Sequence, residues 1–304
     1  MNQVNFKTLK FGVEVETVFD RERAAYTLSQ LWGTETEWVG GTYSTWVVKD
    51  PKGRKWKAMS DGSVRADWQR PGESCEVVTP LLGWDDLDLF RKAIDALKAA
   101  GAYANGTCGV HVHIDGRGLT PKTLRNLVNL VNSKEDMLTL ALGITDDRRA
   151  NWCLPTHQGF LRKLNAQKPG SMEEFERLWY GTQSGGNRHI HYDPSRYHLL
   201  NLHSLWQGKG VEFRAFNGTL DADDLIASVT LSAATVAAAE SVEHASPTRT
   251  LTDNPAYTFR CWLLRLGLIG KEYSETRKIL LQRLPGNAAW KNAPATKRAQ
   301  HTER

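Results

Sequence analysis

Cysteine is scarce in this chain of 304 residues, and the four cysteines, Cys75, Cys108, Cys153 and Cys261, lie far apart in the sequence. None belongs to a C-x-x-C pair, so the sequence gives no sign of a structural zinc site or of a disulfide framework. We therefore expect all four cysteines to be reduced, and we expect Cys75 and Cys108 to serve mainly in packing.

Long apolar runs are also absent. No segment reaches the roughly 18 consecutive apolar residues that span a bilayer, and the opening MNQVNFKTLKFGVEVE lacks the apolar core and cleavage site of a secretory signal. Hydrophobic residues make up 40% of the chain and charged residues 24%, as in an ordinary globular protein. We expect a cytoplasmic protein with no membrane partner.

Two glycine-rich phosphate-binding motifs are missing too. The chain contains no G-x-x-x-x-G-K-[ST] sequence and no G-x-G-x-x-G sequence that opens a helix after a strand. A P-loop is therefore excluded as the carrier of a nucleotide.

The positive charge is confined to one end of the chain. Residues 271–304 contain eight Lys or Arg against three Glu, which accounts for the whole net charge of +5. A basic tail of this kind can bind nucleic acid or an acidic partner. A solvated, partly disordered end is the simpler interpretation.

Hydrophobic periodicity predicts an α+β fold. Alternating patterns predict strands in LKFGVEVETVF, CEVVTP, GVHVHID, HLLNLHSL and GVEFRAFNG, and a hairpin around DPKG. Helices are predicted after the caps Asp20 and Thr120, in WDDLDLFRKAIDALKAAG, in the alanine-rich segment that follows GTLD, and in two or three further segments near the end. Because strands follow strands before helices return, we expect a largely antiparallel sheet.

We divide the chain at residue 245. Residues 1–245 are predicted to form a catalytic domain, and residues 246–304 a helical, basic extension. Residues 146–195 are polar and irregular, with one predicted helix at SMEEFERLWYG, and are expected to be a lid or an insertion. Within them, GTQSGGNRHIHYDPS is a candidate lid, although an ordinary surface loop explains this stretch equally well.

Four of the predicted strands place polar groups at every second position, which assigns those groups to one face of the sheet. Their alternate neighbours, such as Val13 and Val112, are apolar and face the other way. The polar groups are Glu14 and Glu16, Glu76, His111 and His113, and Glu212 with Arg214. Lysine is absent from the cores of all four strands, which is unusual for a face that is simply solvated.

Carboxylates in such a cluster repel one another unless a cation lies among them. Mg²⁺ prefers oxygen ligands, and Mn²⁺ also accepts an imidazole. An arginine is not a metal ligand, but its guanidinium suits a phosphate or a carboxylate. A metal cluster beside Arg214 therefore suggests a nucleoside triphosphate.

The segments FGVEVE, SDGSV…CEVVTP, NGTCGVHVHID and RYHLLNL…GVEFRAFNGTLD resemble, in this order, the motifs of the amidoligase family. That family is similar to the carboxylate–amine ligases of the glutamine synthetase and glutamate–cysteine ligase fold. The resemblance covers roughly residues 10–240, and residues 146–190 and the tail beyond 245 carry none of it.

The resemblance implies a glutamine synthetase-like fold whose sheet holds ATP and two or three Mg²⁺ or Mn²⁺ ions, with the active site on one face and helices on the other. The metal ligands that it implies are Glu14, Glu16, Glu76, His111 and Glu212. His113 would lie nearer the phosphates, Arg214 would clamp phosphate, and Arg196 and Asn201 would face phosphate or the acyl substrate. Asp61 and Ser63 would position substrate or nucleotide, or would simply form a turn.

The implied reaction transfers the γ-phosphoryl group of ATP to a carboxylate, and an amine then displaces phosphate to form an amide. The substrates stay open: small acids, peptides, cell-wall fragments and a modified nucleobase all suit this chemistry.

Two other functions remain. A metal-dependent phosphoesterase or nuclease also uses acids and histidines on a sheet, and the basic tail and eleven tryptophans would suit nucleic acid. A non-enzymatic binding module on the same fold is the third possibility.

Overall fold

The structure is a computed structural model that describes residues 5–68 and 70–291. The basic tail beyond Lys291, with its proposed nucleic-acid contacts, lies outside these ranges. One antiparallel sheet of eight strands runs through the described part, in the order β2-β3-β4-β5-β1-β6-β8-β7. The strands are β1 (Phe11–Thr17), β2 (Thr36–Gly40), β3 (Thr45–Lys49), β4 (Lys55–Met59), β5 (Cys75–Val78), β6 (Gly109–Ile114), β7 (Leu200–Asn201) and β8 (Val211–Asn217).

Several helices pack on one face of this sheet. The helices are α1 (Arg21–Trp32), α2 (Leu87–Ala99), α3 (Pro121–Leu142), α4 (Asp146–Asn151), α5 (Gln158–Gln167), α6 (Met172–Gln183), α7 (His203–Trp206), α8 (Ala222–Ser241), α9 (Pro255–Arg265) and α10 (Ser274–Leu281). Helix α1 packs on β3 and β4, helix α8 on β1 and β6, and helix α3 on α8 and β8. The prediction of an α+β fold with a largely antiparallel sheet is confirmed.

The apolar positions of the central strands fill the layer between sheet and helices. Val13 and Val15 of β1 and Val110 and Val112 of β6 are buried in one continuous core. The alternate residues of these strands face the other way, as the period of two requires. This alternation places Glu14 and His111 on the face away from the helices.

The ends of several helices follow local sequence signals. The side chain of Asp20 accepts a hydrogen bond from the backbone N–H of Arg23, and Gly33 ends helix α1 with a φ of 64°. Helix α3 begins with Pro121 in its first turn, and Thr120 caps it through the N–H of Thr123. These predicted boundaries are confirmed, because each depends on a cap or a left-handed residue within the segment itself.

Helix α8 is the one helix in the described residues that is long and apolar enough to cross a membrane, with a mean hydropathy of 1.3. Its apolar window is 83% buried, because α8 packs against β1, β6, α2, α3 and α10. Its alanines let these neighbours approach closely. The position of α8 is that of a core helix.

Three segments differ from their predicted structure. Thr36–Gly40 forms the edge strand β2, which the sequence analysis missed. HLLNLHSL was predicted as a strand, but only Leu200 and Asn201 pair with β8, and residues 203–206 turn into helix α7 because the Asn201 side chain accepts from the N–H of His203. Residues 146–195 contain three helices rather than one, since Thr145 and His157 also cap helices.

The C-terminal helices pack on the rest of the chain. Helix α10 lies against α8 and α9, and Phe259 and Leu263 of α9 belong to the same buried core as the sheet. The domain boundary at residue 245 stays a prediction. The four cysteines form no disulfide, and Cys75, Cys108 and Cys153 are buried.

Candidate active site

The register of the central strands brings the predicted polar groups next to one another. Glu14 of β1 faces His111 of β6, and Glu16 faces Glu76 of β5. On the other side of β6, His113 faces Glu212 of β8, and Glu212 in turn faces Asn201. Five neighbouring strands therefore supply one continuous row of polar side chains.

A bulge in β8 sets the position of Arg214. Val112 pairs with Phe213 and Val110 pairs with Phe216, so β8 has one extra residue across from His111. The extra residue lets Glu212 and Arg214 point to the polar face while Phe213 and Phe216 both face the core. It also leaves the carbonyl of Arg214 free of the β6 ladder, and this carbonyl accepts hydrogen bonds from Arg148 and from Cys153.

Glu14 lies at the centre of the cluster. Its Oε2 atom is 3.1 Å from Nδ1 of His111, and its Oε1 atom is 3.2 Å from Nε2 of His113. The other ring nitrogen of His111 is 3.7 Å from Glu16, and Nδ1 of His111 is also 3.8 Å from Glu212. The Glu14 carboxylate therefore contacts both imidazoles, and the His111 ring also lies close to Glu16 and Glu212.

Burial and like charges act strongly on the carboxyls nearest β5. Burial raises the pKa of Glu76 well above its ordinary range, and the charges of Glu14, Glu16 and Asp61 raise it further. Burial also raises the pKa of Glu16, although the charge of His111 opposes this. Without a cation, this part of the site therefore tends to hold protons.

In the other half of the cluster, nearby positive charges outweigh burial and lower the pKa values of Glu14 and Glu212. Burial alone would raise the pKa of Glu14, but the charge of His113 and the hydrogen bond from His111 lower it well below its ordinary range. At Glu212 burial is outweighed mainly by the charge of Arg214, which lowers the pKa to about 2. Glu14 and Glu212 are therefore ionised at neutral pH.

The donor set fits divalent cations. Three overlapping groups each offer three ligand atoms within 4.8 Å of one another: Glu14, His113 and Glu212; Glu14, Glu76 and His111; and Glu16, Asp61 and Glu76. His113 is only 7% exposed, yet neither of its ring nitrogens has a hydrogen-bond partner of good geometry. Buried nitrogens without partners are costly, and a cation beside carboxylates would use one of them.

Cationic side chains lie next to the acidic cluster. Nη1 of Arg214 donates to Oε1 of Glu212 at 2.5 Å. Tyr197 lies between two arginines, with Cζ of Arg214 5.9 Å and Cζ of Arg196 5.7 Å from its ring centroid. Lys209 lines the same cleft from the turn before β8. This arrangement places guanidinium and ammonium groups opposite carboxylates, as an anion bound through metal ions requires.

A cleft of about 320 Å³ opens above the polar face. Its floor is the acidic and histidine cluster, and its walls come from the turn before β3, the turn at residues 60–63, helix α4 and the segment 191–197. Aromatic wall residues include Tyr43, Trp152, Tyr192 and Tyr197. The cleft therefore combines a charged floor with flat, partly apolar walls, which suits a nucleotide or another planar ligand.

A family model described as "putative amidoligase enzyme" matches residues 7–236 of the chain. The chain belongs to this amidoligase family. The match confirms the resemblance drawn from the four sequence motifs, and it includes every strand of the sheet and helices α1 to α7. No curated protein matches the chain.

The amidoligase structure brings most of the predicted site residues to the cleft. Those that line it are Glu14, Glu16, Asp61, Ser63, Glu76, His111, Arg196 and Arg214. His113 and Glu212 are buried and do not line the cleft, but they form a donor group with Glu14. Asn201 is not in the cleft lining: its amide donates to Oε2 of Glu212 at 2.5 Å and its oxygen caps the N–H of His203.

The segment with Asp61 and Ser63 forms the predicted turn, and its role in positioning substrate or nucleotide stays a prediction. The Asp61 carboxylate accepts hydrogen bonds from the backbone N–H and the hydroxyl of Ser63, which closes the turn. The same carboxylate lies in a donor group with Glu16 and Glu76. The turn thus carries an acid to the edge of the amidoligase cluster.

Sequence reasoning missed several residues of the amidoligase cleft. Arg148 is buried and reaches the cleft from helix α4, whose sequence TDDRRAN was taken as irregular. Lys209 was predicted only as part of a turn, and it does lie between two glycines with positive φ. Tyr43 and Trp152 carry no motif. A cap at Thr145 was the one available sign that Arg148 lies on a helix.

The candidate lid contacts the opposite wall of the cleft. The hydroxyl of Tyr43 lies 3.2 Å from Nε2 of His191 and 3.0 Å from the hydroxyl of Tyr192. Residues 187–193 are mostly exposed and are held at their base by Asp193, which is fully buried and hydrogen-bonded to Ser184 and Ser195. The role of 181–195 as a lid stays a prediction.

Proposed function

We propose that the chain is an ATP-dependent carboxylate–amine ligase of the glutamine synthetase-like fold. One observation carries the proposal: three overlapping groups of carboxylate and imidazole donors lie on one sheet face, with a buried arginine paired to the deepest carboxylate. An acid cluster with a guanidinium beside it matches the charge of a metal–triphosphate complex. Membership of the amidoligase family supports a ligase rather than a hydrolase.

Mg²⁺ or Mn²⁺ would be held by Glu14, Glu16, Glu76, His111 and Glu212, with His113 as the nearest further donor. When bound, these ions neutralise phosphate oxygens and favour transfer of the terminal phosphoryl group. Asn201 holds Glu212 in place through its amide, which leaves Oε1 of Glu212 for Arg214 and a cation. Asp61 extends the donor set toward the mouth of the cleft.

In the first step a carboxylate of the acyl substrate attacks the γ-phosphoryl group of ATP, forming an acyl phosphate and ADP. Arg214 and Arg196 both line the cleft beside Tyr197, and they would balance the charge of the transferring group. Arg214 is only 5% exposed, so its charge acts through little water.

In the second step an amine attacks the acyl carbon, the carbon–nitrogen bond forms and phosphate leaves. The amine must lose a proton, and a carboxylate on the floor of the cleft would accept it. Water must be kept from the acyl phosphate. The contact of Tyr43 with His191 and Tyr192 closes the cleft on that side.

We further propose that the protein works in the cytoplasm, where ATP is available and its cysteines stay reduced. Its substrates would be a small-molecule or peptide carboxylate and an amine, and a nucleobase derivative belongs to the same chemical range.

The test uses hydroxylamine as a general amine. The protein is incubated with ATP, Mg²⁺, hydroxylamine and pools of amino acids, dicarboxylic acids and short peptides, and ADP and acyl hydroxamate are measured. The proposal predicts equal amounts of ADP and hydroxamate with at least one pool, and none for Glu212→Gln. The exposed Glu37→Gln on β2 is the matched control and should behave like the unmodified protein. Cleavage of DNA or RNA without ATP, and no hydroxamate with any pool, would instead indicate a phosphoesterase or nuclease.

A further inference from the structure

Arg148 is a buried cation without a carboxylate partner. Its side chain is 5% exposed, and no carboxylate oxygen of the described residues lies within 4.0 Å of its guanidinium. The group donates only to the backbone carbonyls of Cys108 and Arg214 and to Sγ of Cys153, and its Nε has no partner. Burying an arginine in this way is costly unless an anion completes the site.

The position of the guanidinium is fixed by the backbone of β6. Gly109 lies directly against it, and a Cβ atom at that position would be 2.6 Å from Nη1 and 2.7 Å from Nη2 of Arg148. The Arg214 carbonyl that holds Arg148 from the other side is the one freed by the bulge in β8. The fold therefore reserves space for this side chain and orients it before any ligand binds.

Arg148 lies at the wall between two spaces. On one side is the cleft with the acidic cluster, and on the other is a second recess of about 500 Å³. The recess is lined by Ser63, Arg65, Thr107, Asp147, Arg148 and Trp152, together with three further residues that include Tyr197. Trp152 and Tyr197 meet edge to face with ring centroids 5.4 Å apart, which gives the recess an aromatic side.

The two spaces differ in the ligands that they can hold. All three groups of metal donors in the described residues belong to the cluster below the cleft, and none includes a residue that lines the recess alone. A triphosphate travels with its metal ions and therefore belongs in the cleft. The recess has one exposed acid, Asp147, and two arginines, so it suits an organic anion without a metal.

We propose that this recess is the acyl-substrate site, and that Arg148 binds the carboxylate that becomes phosphorylated. The inference rests on the proposed function, because it assumes that the cleft takes ATP. Among the described residues, Arg148 is the one buried cation that lines both the cleft and the recess. A carboxylate bound there faces the cleft, while the rest of the substrate lies between Trp152, Tyr197 and the exposed Arg65. The substrate class is thus an organic carboxylate with a flat or apolar portion next to the acid.

The test compares two probes of similar shape by ligand-observed NMR titration: the anion hippurate and its neutral amide, hippuramide. The unmodified protein should bind hippurate at least tenfold more tightly than hippuramide. Arg148→Met should abolish this preference, Arg148→Lys should retain part of it, and Arg149→Met, next to it on helix α4 and exposed, should leave it unchanged. Gly109→Ala should weaken hippurate binding as well, because its methyl group displaces the guanidinium without removing its charge.

A second titration separates a carboxylate from a phosphate as the bound anion. The non-hydrolysable ATP analogue AMP-PNP with Mg²⁺ should bind Arg148→Met within twofold of the unmodified protein. A tenfold loss of AMP-PNP binding with hippurate binding unchanged would assign Arg148 to phosphate and overturn the proposal, as would an unmodified protein that does not prefer hippurate. If hippurate binds as expected but AMP-PNP does not bind at all, the ATP-dependent function fails and the anion site stands. Thermal unfolding of each variant checks that the fold is retained.

Discussion

Glu14 and His111 face each other across the β1–β6 ladder, with Oε2 of Glu14 3.1 Å from Nδ1 of His111. The other oxygen of the same carboxylate is 3.2 Å from His113. In this arrangement the two imidazoles occupy the places where cations would balance Glu14. Metal binding would therefore replace the contacts between Glu14 and the imidazoles rather than fill an open cage.

Glu76→Gln is expected to stabilise the metal-free protein. Burial and the charges of Glu14, Glu16 and Asp61 raise the pKa of Glu76, so the folded protein must either protonate this carboxyl or bear the repulsion, and glutamine removes that cost. We expect a gain of about 1 kcal/mol in the free energy of unfolding, measured by urea denaturation in EDTA. The same variant should lose the extra stability that Mn²⁺ gives the unmodified protein. A variant that is less stable in EDTA would show that Glu76 is held by contacts other than these acids.

Asn201→Leu should weaken metal binding without touching the cleft. The Asn201 amide orients Glu212, and leucine keeps the volume but removes the hydrogen bond. Loss of an outer partner of this kind typically costs about tenfold or more in metal affinity. Isothermal titration with Mn²⁺ measures the change. If Asn201 instead touched substrate, the hydroxamate assay would show a higher KM with unchanged Mn²⁺ affinity.

Tyr43→Phe should loosen the segment at the mouth of the cleft. The Tyr43 hydroxyl contacts His191 and Tyr192, and these contacts join the β2–β3 turn to the candidate lid. We expect faster amide exchange in residues 187–193, by about a factor of five, in hydrogen-exchange mass spectrometry. Tyr26→Phe on the exposed side of α1 is the control. Identical exchange in both variants would mean that the segment is held from its base alone.

Asp86 lies far from the candidate active site, and Asp86→Asn should destabilise the protein by an amount that depends on pH. Asp86 is buried, and the pKa of its carboxyl lies far below the ordinary range because hydrogen bonds from Arg54, Gly83 and Lys52 outweigh burial. A lowered folded-state pKa stabilises the protein above the unfolded-state pKa of about 3.9, and this stabilisation is lost as the pH falls further. We expect a loss of about 2 kcal/mol at pH 7.

Below about pH 4 the difference between Asp86→Asn and the unmodified protein should narrow, as measured by denaturant unfolding across pH 3–7. The neighbouring Asp85→Asn, whose side chain is exposed, should change stability little at any pH. If the difference in free energy of unfolding between the two proteins stays constant from pH 7 to pH 3, Asp86 acts through packing rather than charge.

Alternation and caps made the centre of the fold predictable. The pattern GVEVE placed Glu14 and Glu16 on one face because strand geometry leaves no other choice, and the same argument applied to His111 and His113. Asp20 and Gly33 marked the ends of α1 correctly for the same local reason. The site could be predicted in outline because the sequence of each strand shows, independently of the neighbouring strands, which residues lie on its polar face.

The remainder depends on contacts that no local pattern shows. The bulge that frees the Arg214 carbonyl arises from pairing between β6 and β8, and Arg148 becomes part of the site only because helix α4 docks onto that carbonyl. Asn201 was expected to face substrate, but the short β7 ladder turns its amide toward Glu212. Pairing register and docking are tertiary properties, and the sequence around these residues has no periodicity that reports them.

We propose that the carboxylate and imidazole cluster binds divalent cations together with ATP. The most direct measurement is titration of Mn²⁺ into the protein with AMP-PNP, with free Mn²⁺ followed by electron paramagnetic resonance. We expect binding of at least two Mn²⁺ ions per chain, with an affinity that Glu14→Gln reduces at least tenfold and Glu37→Gln leaves unchanged. Mn²⁺ binding that is no greater than that of AMP-PNP alone, or that is the same in Glu14→Gln, would contradict it.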